Sequence, residues 1–319
     1  MKKIFSALLK NIEAARPSLL VTVINVTGSS PGTKGAKMLV GEEGRLAGTI
    51  GGGSLEYQAI NAAKELLKKQ QGTCLQYDLT KEAAGLGMIC GGKVEVLFSY
   101  IAPTAEYKLV AQTVLNTLSS RKTGWLLLFY SGQKISFVSD TEEVTGKYYV
   151  EKVQNSSRVF VFGGGHLAQE VVPLLSHLGF ICVVTDDRAA FSTRELFPTA
   201  EAVYTRSFID LAGHYDVEAE DYIVVVTRGH EGDFEVERFA LQTAACYIGV
   251  VGSKAKTAAL NAKLLATGYT AKDLARVTAP IGLNIGSETP AEIAVSIAAQ
   301  LIQVRAKINI KYSCETLAK

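Results

Sequence analysis

The sequence predicts an α/β protein in which a C-terminal Rossmann-like, doubly wound parallel sheet follows a mixed α+β N-terminal domain. Three observations carry this. Arg158-Val-Phe-Val-Phe162, Tyr222-Ile-Val-Val-Val-Thr227 and Tyr247-Ile-Gly-Val-Val251 are short, unbroken apolar runs, the pattern of strands buried on both faces of a parallel sheet. Helical stretches alternate with them, as a doubly wound fold requires. The first run leads into Gly163-Gly-Gly-His-Leu-Ala168, a G-x-G-x-x-A turn, and Asp186 ends the next strand 23 residues after Gly163, close to the spacing of a ribose-binding acid in a dinucleotide fold.

Taken in order, an amphipathic helix is expected over about 3–16, then a strand over 18–26 that ends at Gly28. Shorter strands follow around 36–40 and 45–49, a helix over about 54–70, and strands near 74–79 and 93–100. Lys93-Val-Glu-Val-Leu-Phe98 shows the alternation of a half-buried strand. A helix and a hairpin fill 103–150, with turn signals at Ser131-Gly132 and Gly146. The polar stretch Gln154-Asn-Ser-Ser157 separates two strand-like runs and sets the boundary, giving domains 1–154 and 155–310 with a tail at 311–319. Beyond it come the strand 158–162, a helix to His177 closed by Gly179, and a strand over 180–185. Ser192-Thr-Arg-Glu195 has capping-box spacing for a short helix. Helices over about 233–245 and 254–267 follow the two later strands, and Thr289-Pro-Ala-Glu292 opens a last helix to about 306.

Length, charge and cysteine usage narrow the function classes. The 319 residues suffice for about two domains, and 48% apolar with 20% charged residues describes a globular chain with a large core. A formal net charge of +2, with Lys and Arg scattered along the sequence, gives no case for nucleic acid. The five cysteines (74, 90, 182, 246 and 314) are odd in number and lack C-x-x-C spacing, so neither a disulfide framework nor a structural zinc site is supported. The N-terminal apolar part is too short for a signal peptide, and no apolar run approaches the ~20 residues that span a bilayer. The expectation is a soluble, reduced, cytoplasmic protein without a membrane partner.

Glycine-rich loops carry the candidate chemistry. At 163–168, Gly163 permits the turn, Gly165 lets backbone approach a pyrophosphate and Ala168 lets the helix pack on the strand. His166 lies in this loop, and the helix N-terminus behind it offers N–H groups and a positive dipole to an anion. Whether a dinucleotide binds there is left open by the residues themselves. The first half holds three more such loops: Gly28-Ser29-Ser30-Pro31-Gly32; Gly48-Thr-Ile-Gly51-Gly52-Gly53-Ser54-Leu-Glu56, with Ser54 as the expected N-cap; and Gly85-Leu-Gly-Met-Ile-Cys90-Gly91-Gly92. The second of these reads as another anion cradle at a helix N-terminus, with tight turns in a compact domain as the plain alternative.

Cys90 is the only cysteine set in such a loop. Surrounding glycine N–H groups favour a thiolate, while a small buried hydrophobe fits the same position. Cys182 and Cys246 lie on or beside apolar strand sequence and read as core thiols. His230 follows the strand at 222–227, and with Asp233 it reads either as an acid/base pair or as the cap of the next helix. No spacing such as H-E-x-x-H marks a metal site.

These motifs, in this order, resemble the XdhC/CoxI proteins, accessory factors for xanthine dehydrogenase and related molybdenum hydroxylases. The first-domain marks are Gly28-Ser-Ser-Pro31 with Gly35-Ala-Lys-Met38, Gly48-Thr-Ile-Gly-Gly-Gly53 with Leu55-Glu56, and Gly87-Met-Ile-Cys-Gly-Gly92. The second-domain marks are the 163–168 turn, Asp186-Asp-Arg188, Thr227-Arg-Gly-His230, Tyr247-Ile-Gly-Val-Val-Gly-Ser-Lys254, and Ala279-Pro-Ile-Gly-Leu-Asn-Ile-Gly286 with Thr289-Pro-Ala-Glu-Ile-Ala294. The resemblance implies a protein that binds molybdenum cofactor (molybdopterin), protects it during sulfuration by a cysteine desulfurase, and hands it to the apo molybdenum hydroxylase. It also implies a homodimer without turnover of its own. On this resemblance the cofactor-binding residues are expected at Gly28, Ser29, Ser30, Gly51, Gly52, Gly53, Ser54, Glu56, Cys90 and Gly91, with Cys90 as the molybdenum contact. In the second domain they are expected at Gly163, Gly165, His166, Ala168, Asp186 and Ser253. The alternative is an NAD-dependent oxidoreductase in which the Rossmann-like domain binds NAD, preferred to NADP by Asp186, and His230 with Asp233 supplies the acid/base. A catalytic hydroxylase subunit is disfavoured, because the chain lacks the cysteine clusters of iron–sulfur ligation.

Overall fold

The computed structural model describes residues 1–28, 32–79, 92–120, 122–139 and 145–316, with side chains to residue 308. Ser29, Ser30, Cys90 and Gly91 therefore lie outside the described residues. The chain divides into two compact units, Met1–Asn155 and Ser156–Lys319.

The first unit begins with helix α1 (Lys2–Glu13) and strands β1 (Ser18–Gly28), β2 (Lys37–Gly41) and β3 (Gly44–Thr49). Helix α2 (Gly53–Lys69), strands β4 (Thr73–Asp78) and β5 (Gly92–Ile101), and helix α3 (Ala105–Thr117) follow. Strands β6 (Gly124–Phe129), β7 (Ile135–Val138) and β8 (Tyr148–Val153) complete it. The first five strands form an antiparallel sheet in the order β3-β2-β1-β5-β4, and the last three a second antiparallel sheet in the order β7-β6-β8. Central β1 is buried on both faces, which is why it reads as a continuous apolar run. Its period-2 alternation sends Leu19, Val21 and Val23 against Leu55, Ala59 and Ala63 of α2, and Leu20 and Ile24 into the core that holds Phe5 and Leu8 of α1. α1 stops at Glu13 rather than 16 because Ala15 takes a left-handed φ of 55° and Pro17 follows.

In the second unit six parallel strands lie in the order β11-β10-β9-β12-β13-β14, the 3-2-1-4-5-6 order of a Rossmann sheet. They are β9 (Arg158–Phe162), β10 (Ile181–Asp186), β11 (Ala202–Thr205), β12 (Tyr222–Val225), β13 (Tyr247–Val250) and β14 (Val277–Thr278). The helices are α4 (His166–His177), α5 (His230–Leu241), α6 (Lys254–Ala266), the short α7 (Ala271–Leu274) and α8 (Pro290–Thr316). Val159 and Val161 of β9 face Val171 of α4 and Ile297 and Leu301 of α8, while Phe160 and Phe162 face Phe234 of α5 and Leu264 of α6. Both faces are thus covered, as unbroken apolar strands require.

Two expectations need correction here, and two short strands were not foreseen. Ser192-Thr-Arg-Glu195 forms turns after a single 3-10 turn (Ala189–Phe191), not a helix, because Pro198 denies helical backbone to the residue before it. β11 and β14 are edge strands of four and two residues, too short to leave a period in the sequence. Helix α8 continues to Thr316 instead of ending near 306 before a tail at 311, and no Gly or Pro after Pro290 is available to stop it.

Candidate functional site

In the first unit, described residues from each glycine-rich motif lie at one end of the five-stranded sheet. β1 ends at Gly28, which pairs across the ladder with Gly92, the last residue of the third motif. The Leu79 N–H, at the far end of that motif's loop, donates to the Gly92 carbonyl (3.0 Å). Gly32 closes the distance to the second loop: a Cβ there would lie 2.3 Å from the Ile50 carbonyl oxygen, so only glycine permits the approach.

Glu56 organises the second loop. It is 8% exposed, and its carboxylate accepts from the Ile50 N–H (3.0 Å), the Gly52 N–H (3.2 Å), Arg45 Nη1 (2.6 Å) and the Thr49 hydroxyl. Burial pushes this carboxyl up, but the Thr49, Ile50 and Gly52 hydrogen bonds and the Arg45 charge outweigh it and hold it below the usual carboxylate range. The Gly51 N–H goes to Thr49 Oγ1 (3.2 Å). The anion that this loop cradles is therefore the chain's own. Ser54 is not the N-cap: Gly52 takes that place, and Ser54 Oγ accepts from Gln58 Nε2 (3.1 Å) within α2. Over Gly52 the space is open, since an added Cβ would meet nothing within 4 Å.

Lys37 is a residue that sequence reasoning missed. It is 6% exposed on β2, donates to the Gly35 carbonyl (2.9 Å) and pairs with Glu151 of β8. The Tyr149 ring lies 6.0 Å from its Nζ and 5.8 Å from that of Lys34. A buried ammonium needs such partners. Its position directly before the buried run Met38-Leu-Val40 was the available signal.

The second unit places its candidates at the carboxyl ends of β9, β12 and β13, around the point where the strand order reverses, the usual ligand position of open α/β sheets. Gly163 has a φ of 109°, and a Cβ would lie 2.4 Å from the Val226 carbonyl oxygen, so the turn needs glycine for the chain's own packing. Ala168 is fully buried against the sheet. Gly165 caps α4 with nothing within 4 Å of an added Cβ, and His166 is exposed in the first helical position. Ser253 caps α6, its Oγ accepting from the Lys256 N–H (3.2 Å).

Asp186 is fully buried and turned into the loop. Its Oδ2 accepts from the Gly164 N–H (2.7 Å) and Arg188 Nη2 (2.9 Å), and its Oδ1 accepts from the Arg188 N–H and Nε (both 2.9 Å). Burial pushes the carboxyl up, and the Arg188 and Gly164 hydrogen bonds prevail and hold it low. The Arg188 guanidinium in turn lies 3.9 Å from the centre of the Phe191 ring. The acid whose spacing suggests a ribose partner thus ties two loops of the protein together.

His230 and Asp233 do not pair. His230 is exposed at the start of α5, whereas Asp233 is 1% exposed, accepts from Thr227 Oγ1 (2.5 Å) and forms an ion pair with Lys256. One turn further on, Glu237 is 2% exposed. Burial, then the Asp233 charge, pushes its carboxyl up to about 7, against the pull of Lys256. Two acids four apart on a helix whose other inward residues are Phe234, Val236, Ala240 and Leu241 were the sequence signal for this cluster. Because the folded state keeps a proton that the unfolded chain releases near 4.5, stability falls as pH rises from about 4.5 to about 7. Glu237→Gln is expected to flatten that slope in the second unit, a change of at most about 3 kcal/mol, read from thermal melts at pH 5 and pH 8.

Among the described residues Cys74, Cys182 and Cys246 are free, and burial pushes the thiols of Cys74 and Cys182 up, Cys182 to about 11. Cys182 is a core residue, but Cys246 is exposed in the turn before β13, where its Sγ donates to the Asp221 carbonyl (3.2 Å). No group of three or more His, Cys, Asp or Glu among the described residues is placed to hold a metal ion. No helix among them is long and apolar enough to cross a membrane.

Comparison with known proteins adds to this geometry. Residues 12–78 match the family model described as XdhC and CoxI family, and residues 159–301 match that of the XdhC Rossmann domain. The chain is 27% identical to a protein of Bacillus subtilis (strain 168) named as a probable xanthine dehydrogenase subunit, over 94% of this chain and 96% of the relative. It is 22% identical to the molybdenum cofactor insertion chaperone PaoD of Escherichia coli (strain K12), over 92% of this chain and 85% of the relative. A crystal structure from Bacillus halodurans, described as a xanthine dehydrogenase, superposes with a TM-score of 0.79 at 26% identity, covering 95% of this chain and 96% of that one.

Proposed function

The chain belongs to the XdhC and CoxI family, and from that premise we propose that it matures a molybdenum hydroxylase of the xanthine dehydrogenase type by binding molybdenum cofactor and inserting it into the apo-enzyme. The observation that carries this reading is that the Gly28–Gly92 pair and the Gly32–Ile50 contact lie at the same end of the first sheet. A pterin cofactor with an anionic tail needs backbone that it can approach closely and a helix N-terminus that favours its charge. The residues fit with one restriction. Glu56 already takes the Ile50 and Gly52 N–H groups, so the ground left to the cofactor is the open surface over Gly52, the start of α2 and the Gly28–Gly92 edge. When bound, the cofactor supplies a dithiolene that carries molybdenum. Glu56 and Lys37 hold the loops around it in place.

Cys90, two residues before Gly92, is the thiol of this chain suited to molybdenum or to its sulfur ligand. Sulfuration by a cysteine desulfurase while the cofactor is held, a homodimeric assembly and a cytoplasmic location complete the proposal. The NAD-dependent alternative is not favoured, because every oxygen that Asp186 would offer a ribose is already engaged by Gly164 and Arg188.

Equilibrium dialysis against molybdopterin released from a molybdoenzyme tests the proposal. The protein is expected to retain the cofactor, and Cys90→Ala to fold normally, retain less and yield less active hydroxylase on co-production. No retention, under conditions where an established binder does retain it, overturns the reading, and so does calorimetric binding of NAD(H) in its place.

A further inference from the structure

Helix α1 and strand β3, the edge of the five-stranded sheet, enclose an open groove of about 780 Å³. Ala7 of α1 and Leu46 and Ala47 of β3 give it an apolar floor, on which Leu46 is 43% exposed. Lys2, Lys3 and Lys10 stand around it, all exposed, and no acidic residue lines it. Among the described residues none of these lysines has an ion-pair partner, whereas Glu13 on the same helix pairs with Lys108. The three lysines come from one helix, and the fold sets them beside the apolar residues of β3. In a chain of formal net charge +2, three uncompensated ammonium groups around one apolar floor make a local excess of positive charge.

The spacing selects the occupant. Lys10 lies seven and eight residues beyond Lys3 and Lys2, about 11–12 Å along the helix axis. In an extended chain, residues four apart are about 13 Å apart, and the residue midway points to the same side. We propose that this groove docks an extended acidic segment of a partner protein with the pattern acidic–x–apolar–x–acidic. One carboxylate meets Lys2 and Lys3, the other meets Lys10, and the apolar side chain between them lies on Leu46 and Ala7. This inference rests on the groove alone and stands whatever ligand the glycine-rich loops take.

The test is an NMR titration of the isotope-labelled full chain with a peptide carrying Glu-Thr-Leu-Thr-Glu. Amide shifts are expected at 2–11 and 44–48, saturating by millimolar peptide and weakening with added salt. Two exposed charge pairs set the expected loss at about tenfold for K3E/K10E, and setting the two glutamates side by side in the peptide should weaken binding comparably. K3Q/K10Q, which introduces no new charge, provides a second reading should the reversal disturb α1. Absence of shifts at millimolar peptide, or binding unchanged in both double variants, overturns the proposal. Tighter binding of phosphatidylglycerol vesicles through the same lysines also overturns it, by making the groove a lipid contact.

Discussion

Glu56→Ala is expected to lower the unfolding temperature of the first unit on the order of 10 °C, while the transition of the second unit stays in place. The substitution strands the buried Ile50 N–H and the half-buried Gly52 N–H, removes the acceptor of the Thr49 hydroxyl, and leaves Arg45 without its carboxylate. Removing one member of such a network costs about 3–5 kcal/mol. Arg45 adds little, because it is half exposed and rehydrates. Glu56→Gln should fall between, since its amide keeps one acceptor oxygen for two backbone donors. The pH dependence follows from the lowered carboxyl. Its stabilising contribution is complete above the ordinary value of 4.5 and disappears as pH falls through the folded-state value, so the variant should lose that part of the acid sensitivity. Calorimetry resolves the two transitions, and hydrogen exchange over 48–56 locates the opened loop. An unchanged first transition would show that the loop is held by its glycines alone.

What could be read from the sequence divides along a physical line. The second unit was legible because the four central strands of its sheet are buried on both faces, and because the 163–168 turn depends on conformations that only glycine adopts freely, as the φ of Gly163 shows. Apolar runs and glycine positions are local properties, and they survive in one dimension. The destinations of charged groups do not. Spacing placed Asp186 as a ribose acid and set Glu56 in an anion cradle, yet each carboxylate is satisfied by donors of the protein itself. A sequence pattern shows that an N–H cradle exists but not which anion fills it. Lys37–Glu151 and Asp233–Lys256 pair groups 114 and 23 positions apart, and only the fold brings them together. The pairing of Gly28 with Gly92 was equally hidden, because it rests on the β1–β5 register. Cys90, the residue singled out most sharply by its glycine setting, lies outside the described residues, so its role stays with the dialysis experiment.

Asp186→Ala separates the two readings of the second unit. If the carboxylate exists to hold the loops, its removal leaves the buried Gly164 N–H without an acceptor and the partly exposed Arg188 guanidinium without its partner. The second unit should then lose about 3–5 kcal/mol and unfold on the order of 10 °C lower. Arg188→Ala should reproduce part of this loss, and the double variant should lose less than the sum of the singles, because each single variant already removes the shared pair. If the carboxylate instead exists to bind a ribose, Asp186→Ala should leave the melting temperature nearly unchanged and abolish NAD(H) binding. The first outcome follows from four hydrogen bonds within the protein, and the second requires at least two of them to be given up to a ligand. The glycines at 163–165 support the first as well. Gly163 is required by contact with the Val226 carbonyl, and Gly164 by contact with the Phe191 carbonyl, where a Cβ would lie 1.9 Å from the oxygen. Only Gly165 faces open space, so most of this dinucleotide-like signature is accounted for by how the unit packs on itself.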